Sequence, residues 1–117
     1  MIQIDAVLDR AGLLKSCKVE GHAGAKGLFR IRNAKADIVC AAVSVLVRTA
    51  LQLFSGKTGI KVRGAAPERG LLWMEIDYTA EGRDFLSVAG EFLVEGLTGV
   101  SKDYPKNCKM TIHRSED

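Results

Sequence analysis

The sequence is poor in cysteine, and its three cysteines, Cys17, Cys40 and Cys108, form no CxxC pair. Three cysteines cannot all pair with one another, so a disulfide scaffold is not expected. A zinc site built from these thiols together with His22 and His113 is the alternative, but ligands so scattered along a chain are a weak signal. The prediction is free thiols, with no metal and no cofactor.

Targeting signals, long apolar runs and blocks of charge are also lacking. The first residues, MIQIDAVLDR, have neither the basic leader nor the apolar run of a secretory signal. No segment reads as the roughly 20 apolar residues that a membrane span requires. The formal net charge of +3 is spread along the chain, which does not by itself argue for nucleic-acid binding. We expect a soluble cytoplasmic protein without direct membrane or nucleic-acid contacts.

The chain has the size and composition of one globular domain. It has 117 residues, of which 47% are hydrophobic and 26% charged, ordinary values for a soluble protein. Internal repeats, low-complexity tracts and linkers are absent from the sequence. Residues 1–117 are therefore predicted to form a single domain.

Alternation of apolar and polar residues predicts a first hairpin and a last strand. Residues 2–8 and 13–21 alternate with the period of strands that have one buried face. Residues 107–113 repeat this pattern, with Cys108 directed to the core and His113 to the surface. We expect Cys108 to pack and His113 to be solvated.

A second hairpin is predicted in the middle of the chain. Its strands are residues 60–64 and 72–78, and residues 65–70, which include Pro67 and Gly70, are predicted to turn the chain.

Two segments have the 3.6-residue period of amphipathic helices. The first runs from Asp37 to Ser55 without glycine or proline, and Gly56 is placed to end it. Its predicted inward face is Val39, Val43, Leu46, Ala50 and Leu53. The second begins at about Asp84 and is expected to stop at Gly99 and Pro105. Its predicted inward face is Phe85, Val88, Ala89, Phe92, Leu93 and Leu97.

These elements define the predicted fold class. Cleanly alternating strands have one covered face, which is typical of antiparallel sheets with a single layer of helices. The prediction is an α+β, two-layer fold: a mostly antiparallel five-stranded sheet with two helices on one face, in the order ββαββαβ.

A long basic loop joins the second strand to the first helix. Residues 23–36, AGAKGLFRIRNAKA, have no regular pattern and no acidic side chain, and loops of this length are often functional. Two interpretations are open: a solvated surface loop, or a flap that gates a substrate.

The loop separates two residues that can carry nucleophilic chemistry. His22 ends the second strand, and Cys40 lies near the start of the first helix. With Asp37 as the N-cap, Cys40 would be the third helical residue, where free backbone N–H groups and the helix dipole favour a thiolate. The structural alternatives are a small buried cysteine and a surface histidine.

Two sequence motifs narrow these alternatives. GHAG at 21–24 and DIVCAAVS at 37–44 resemble the ribosomal-processing cysteine protease Prp family, whose element order agrees with the predicted one along essentially the whole chain. The resemblance implies a catalytic dyad with Cys40 as nucleophile and His22 as base. The family's aspartate three residues before the cysteine corresponds to Asp37.

The resemblance also implies supporting and substrate-binding residues. The serine four residues after the cysteine corresponds to Ser44. Gly21, Ala23, Gly24 and the loop to Ala36 are implied to contact the substrate.

The implied activity is that of a cysteine endopeptidase working as a homodimer. It would remove a short N-terminal extension from large-subunit ribosomal protein twenty-seven, cutting after a phenylalanine, and so support ribosome assembly. In the hypothesised chemistry the Cys40 thiolate attacks the scissile carbonyl, His22 protonates the leaving amine, and N–H groups at the helix start stabilise the oxyanion. Asp37 would either cap the helix or orient His22.

A function of another class is also open. A catalytically silent module of the same fold would use the basic loop to hold ribosomal RNA or an acidic protein tail. Leu71 and Trp73, on the face opposite Leu72 and Met74, are a further hypothesis for the dimer contact.

Overall fold

A computed structural model describes residues 1–21, 34–68 and 71–116 of the chain, and the side chains of 66–68 are outside this description. The elements are β1 (Ile2–Leu8), β2 (Leu14–Glu20), α1 (Ala34–Ser55), β3 (Ile60–Glu68), β4 (Leu71–Tyr78), a short 3-10 turn (Ala80–Gly82), α2 (Arg83–Asp103) and β5 (Cys108–Arg114). The predicted order ββαββαβ is confirmed.

The strands form one five-stranded sheet in the order β3-β4-β2-β1-β5. The β1–β2, β2–β4 and β3–β4 neighbours are antiparallel. β5 pairs with β1 in parallel, because α2 carries the chain back across the helical face before β5 begins. The sheet is therefore mixed but mostly antiparallel, as predicted.

The core lies between the sheet and the helices. α1 packs on β3, β4 and α2, and α2 packs on β2 and β5. Cys17 and Cys108 are only 2% and 1% exposed in this core. The opposite face of the sheet carries the hydrogen-bonded contact between Asp5 and His113 and the ion pair Arg63–Glu75. Cys108 as a core residue and His113 as a surface residue are thus confirmed.

The second hairpin is longer than its predicted strands. β3 continues through residues 65–68, and Glu68 pairs with Leu71, with a shift of register after Ala65. Pro67 is compatible with this strand because β3 is the edge of the sheet, where the N–H groups of alternate residues face away from the ladder. Placing residues 65–70 entirely in a turn was wrong.

Parts of the predicted helix faces were wrong. Leu53 is 48% exposed, and Val88 and Phe92 are 71% and 72% exposed. Val47, Phe54, Leu86 and Gly90 occupy the buried positions instead. Val39, Val43, Ala50, Leu93 and Leu97 are buried as predicted. Both helices carry apolar residues on more than one side, so the predicted stripe was wider than the face that the monomer buries. α2 also continues past Gly99 to Asp103.

α1 corrects a further expectation. Its 22 residues have a mean hydropathy of 1.8 in the most apolar window and are long and apolar enough to cross a membrane by length and composition alone. The core helix of a soluble protein passes the same test, and only 28% of this window is buried within the monomer. The buried side of α1 packs on the sheet, and much of its apolar surface remains uncovered.

Candidate active site

Cys40 is the seventh residue of α1 rather than the third. The helix begins at Ala34, so Asp37 lies in its first turn and is not the N-cap. Six residues correspond to about 9 Å along the helix axis. At that depth the helix dipole contributes little, because its effect falls off within the first turn.

This placement changes where an oxyanion can be stabilised. The backbone N–H of the seventh helical residue bonds to the carbonyl four residues earlier, which is that of Ala36. Only the first four N–H groups of a helix lack such partners. The backbone N–H of Cys40 is therefore already hydrogen-bonded within the helix. It is not one of the free helix-start N–H groups that were expected to stabilise the oxyanion.

The side of α1 that carries Cys40 faces β3. Cys40 and Leu51 are eleven residues apart, about three turns, so they point in nearly the same direction. Leu51 lies against β3, since a Cβ added to Gly64 would be 2.9 Å from its Cδ1 atom. Leu46, on another side of the helix, instead packs against Gly96 of α2. Cys40 is half-buried and packs against the core from the β3 side.

The topology places the end of β2 and the start of α1 at the same end of the sheet. α1 is followed directly by β3, which runs back along it, so the β3–β4 turn lies toward the start of α1. Glu20, the last residue of β2, pairs with Leu71, the first residue of β4. His22 follows Glu20 by two residues, so the chain enters and leaves residues 22–33 at this one end.

Several predicted site residues lie outside the described part of the chain. These are His22, Ala23 and Gly24, together with the loop as far as residue 33. Gly21 is described: it follows β2 with φ +101°, where a Cβ would collide with the carbonyl oxygen of Met1. The predicted loop boundary at Ala36 was wrong, because residues 34–36 form the first turn of α1 and Ala36 is buried.

Asp37 and Ser44 lie on either side of Cys40 along the helix. Asp37 is exposed, whereas Ser44 is half-buried one turn after Cys40 on the same side of α1. The structure thus brings Ser44 beside Cys40 and leaves the carboxylate of Asp37 in solvent.

The three thiols differ in their surroundings. Burial, with a smaller contribution from Asp5, raises the pKa of Cys17 to about 12. Burial also raises the pKa of Cys108. Both therefore stay protonated at neutral pH, and Cys40 is the thiol outside the fully buried core. Among the described residues, no group of three or more His, Cys, Asp or Glu side chains is arranged to hold a metal ion.

Sequence reasoning missed the packing of α1 on β3. Gly64 lets α1 approach β3, and the signal for it was a glycine within an otherwise alternating strand, which often marks a close approach.

Comparison with known proteins identifies a family that matches most of the chain. The sequence model of the family described as cysteine protease Prp matches residues 1–109. No curated protein matches the chain.

Solved structures show the same fold. The Streptococcus mutans protein SMU.848 has a TM-score of 0.74 at 23% identity, over 98% of this chain and 96% of that one. Prp of Staphylococcus aureus, described as an essential ribosomal processing protease, was solved with a substrate peptide and has a TM-score of 0.75 at 18% identity, over 96% of this chain and 99% of that one. The same protease with a covalently linked product peptide has a TM-score of 0.72 at 19% identity, over the same shares of the two chains.

At these identities the structural likeness concerns the fold, while the family match spans nearly the whole sequence and includes both motifs. The chain belongs to the cysteine protease Prp family.

Proposed function

We propose that this chain is a cysteine endopeptidase that removes a short N-terminal extension from large-subunit ribosomal protein twenty-seven. The observation that carries the proposal is the family match across both motifs, combined with a half-buried Cys40 at the end of the sheet where β2 stops. The relative solved with a substrate peptide is itself described as a ribosomal processing protease.

The proposed nucleophile and base are Cys40 and His22. The topology supports the pair, because His22 follows Gly21 at the end of the sheet that also holds the first turns of α1. The Cys40 Sγ–carbon bond forms as the peptide C–N bond breaks, and His22 gives its proton to the leaving amine. Water then hydrolyses the thioester with His22 as base, which releases the new carboxylate and restores the thiol.

Supporting roles follow from the positions of Ser44 and Asp37. Ser44, one turn along the same side of α1, is proposed to contact the bound peptide or the thiolate. Asp37, exposed in the first turn, is proposed to act on the loop and His22 and not as a helix cap. Substrate contacts are assigned to Gly21, Ala23, Gly24 and the residues that follow as far as α1.

We place this activity in the cytoplasm, where ribosomal proteins are made, and treat residues 1–117 as one domain. The competing function is a catalytically silent module that holds ribosomal RNA or an acidic protein tail through the basic residues of 23–36. A half-buried thiol in the family's cysteine motif favours the protease, since RNA binding alone makes no use of it.

The proposed activity predicts a defined product. Incubating the purified protein with the host's own ribosomal protein twenty-seven should shorten that protein at one site near its N-terminus, immediately after a phenylalanine. Intact-mass spectrometry reads the site directly. An unchanged substrate mass, together with RNA binding that weakens with salt, would establish the silent module instead.

We further propose that the protein is a homodimer joined through its helical face. Val45 and Leu53 of α1 and Val88 and Phe92 of α2 are all about half exposed or more, around an apolar groove of about 430 Å³ between the helices. Monomers rarely leave so continuous an apolar surface uncovered. This surface also explains why α1 has a high mean hydropathy although little of it is buried in the monomer.

The charged residues at the two rims of this helical face are complementary in sign, as an interface between two copies of the chain requires. Within residues 41–55 of α1 the one charged side chain is Arg48, whereas residues 85–101 of α2 carry only Glu91 and Glu95. All three are exposed. A two-fold axis parallel to the helices lays α1 of one copy over α2 of the other, which places the basic rim against the acidic rim twice.

The dimer predicts that one charge on this face gives monomers. Phe92→Glu buries a carboxylate in the proposed interface, so light scattering after size exclusion should give the monomer mass. Ser87→Glu adds the same charge to an exposed position of α2 that faces away from the groove, and it should stay dimeric. If Phe92→Glu stays dimeric while Trp73→Ser becomes monomeric, the contact lies instead on the opposite face of the sheet.

A further inference from the structure

The free edge of β3 lies beside the helix side that carries Cys40. β3 is the last strand of the sheet on that side, so one of its edges has no neighbouring strand among the described residues. An extended polypeptide can add to such an edge through backbone hydrogen bonds.

The pairing of β3 with β4 shows which groups this edge offers. The Thr79 N–H donates to the Gly59 carbonyl at 2.9 Å, which makes that pair a hydrogen-bonded one. In an antiparallel ladder such pairs alternate, so Lys61 and Arg63 also bond to β4. The N–H and C=O groups of Val62 and Gly64 then point away from the sheet.

The geometry of α1 and β3 relates these groups to Cys40. Leu51 lies over Gly64, and Cys40 is eleven residues, about 16 Å, nearer the start of the helix on the same side. Five strand residues beyond Gly64 also span about 16 Å and reach the β3–β4 turn. A peptide paired with Val62 and Gly64 would therefore reach the level of Cys40 within about five residues.

Features that protect the edge also limit its length. The register of β3 shifts between Ala65 and Glu68, and Pro67 lies within this stretch. Both features interrupt regular pairing toward the turn. The regular run is thus long enough for a peptide segment and too short for edge-to-edge association of sheets.

We propose that the substrate peptide binds as an added strand on the free edge of β3, hydrogen-bonded to Val62 and Gly64, with its scissile bond carried toward Cys40. This inference rests on the proposed function and specifies how the substrate is held. Affinity would come from backbone groups at alternate positions, so it would depend little on the side chains that face solvent.

Amide exchange tests the binding site on the protein. The probe is a synthetic peptide covering the N-terminus of the host's ribosomal protein twenty-seven through the cleavage site, added in excess to the Cys40→Ala variant. Exchange at Val62 and Gly64, measured by NMR, should slow by about tenfold or more, whereas Lys61 and Arg63 should change little. Amides of β5, at the far edge of the sheet, are the internal control.

Backbone methylation of the peptide tests the same pairing during turnover. Each N-methyl group on an amide that pairs with β3 should lower kcat/KM by about tenfold, and N-methyl groups at the intervening positions should be tolerated, so the losses should alternate along the peptide. A peptide that is cleaved without this alternation, or that binds without protecting Val62 and Gly64, overturns the added strand and leaves the protease intact. A peptide that is neither bound nor cleaved overturns both.

Discussion

Cys40→Ala should abolish cleavage of the ribosomal protein while leaving the fold intact. Removing the nucleophile of a covalent mechanism costs about 10⁴-fold or more in kcat, because the acyl intermediate is proposed to form on the Cys40 sulfur. Cys40 is only half-buried, so exchanging its sulfur for a hydrogen should change the free energy of unfolding by about 1 kcal/mol or less. Initial rates by mass spectrometry and a thermal melt measure the two effects.

A second cysteine supplies the matched control. Cys108→Ala makes the same chemical change in the core, where Cys108 is 1% exposed. It should lower the melting temperature more than Cys40→Ala does, yet keep its activity per folded molecule. If Cys40→Ala still cleaves the substrate at the same site, Cys40 is not the nucleophile.

Thiol labelling provides an independent readout of the same assignment. Iodoacetamide reacts with thiolates, and burial raises the pKa of both Cys17, to about 12, and Cys108. Near neutral pH the native protein should therefore gain one label, at Cys40, and lose cleavage in parallel with labelling. Labelling of the unfolded protein at all three cysteines confirms that the reagent is in excess.

The fold could be predicted from the sequence because its elements alternate regularly. Strands such as β1 and β4 have a clear period of two. In β5 the pattern correctly placed Cys108 in the core and His113 on the surface. The parallel pairing of β5 with β1 was not predicted, since alternation shows that a strand has one buried face and says nothing about its neighbour.

The helix faces show where periodicity stops being informative. Phe92 and Val88 fit an apolar stripe, yet they are largely exposed while Leu86 and Gly90 are buried. An apolar surface that a partner covers has the same pattern as one that the monomer's core covers. The residues that were wrongly predicted to be buried in the monomer are therefore the ones placed in the proposed dimer interface.

The candidate site was predictable in identity but not in geometry. The motif singled out Cys40. Its position within α1 depends on where the helix begins, and the sequence has no distinctive helix-start signal at Ala34, three residues before Asp37. The β3 edge became visible only from the strand order, which no local pattern contains.

Gly59→Ala should be among the most destabilising single-methyl substitutions in the described chain. Gly59 has φ +83°, where a side chain costs about 1–2 kcal/mol. A Cβ there would also collide with the backbone nitrogen of Gly82 and lie 2.9 Å from its Cα. Gly82 directly precedes α2, and Gly59 lies in the connection from α1 to β3. The contact therefore holds these two connections together. The total loss should be about 3–4 kcal/mol, or roughly 10–20 °C in the melting temperature.

Gly12→Ala separates backbone strain from the collision. Gly12 has nearly the same conformation, with φ +87°, but a Cβ there meets nothing within 4 Å. It should lose only the strain, about 1–2 kcal/mol, which corresponds to roughly 3–10 °C. Equal melting temperatures for the two variants would show that the Gly59–Gly82 approach relaxes without cost. Because this contact lies at the end of the sheet away from Cys40, the folded fraction of Gly59→Ala should keep the cleavage rate of the parent at low temperature.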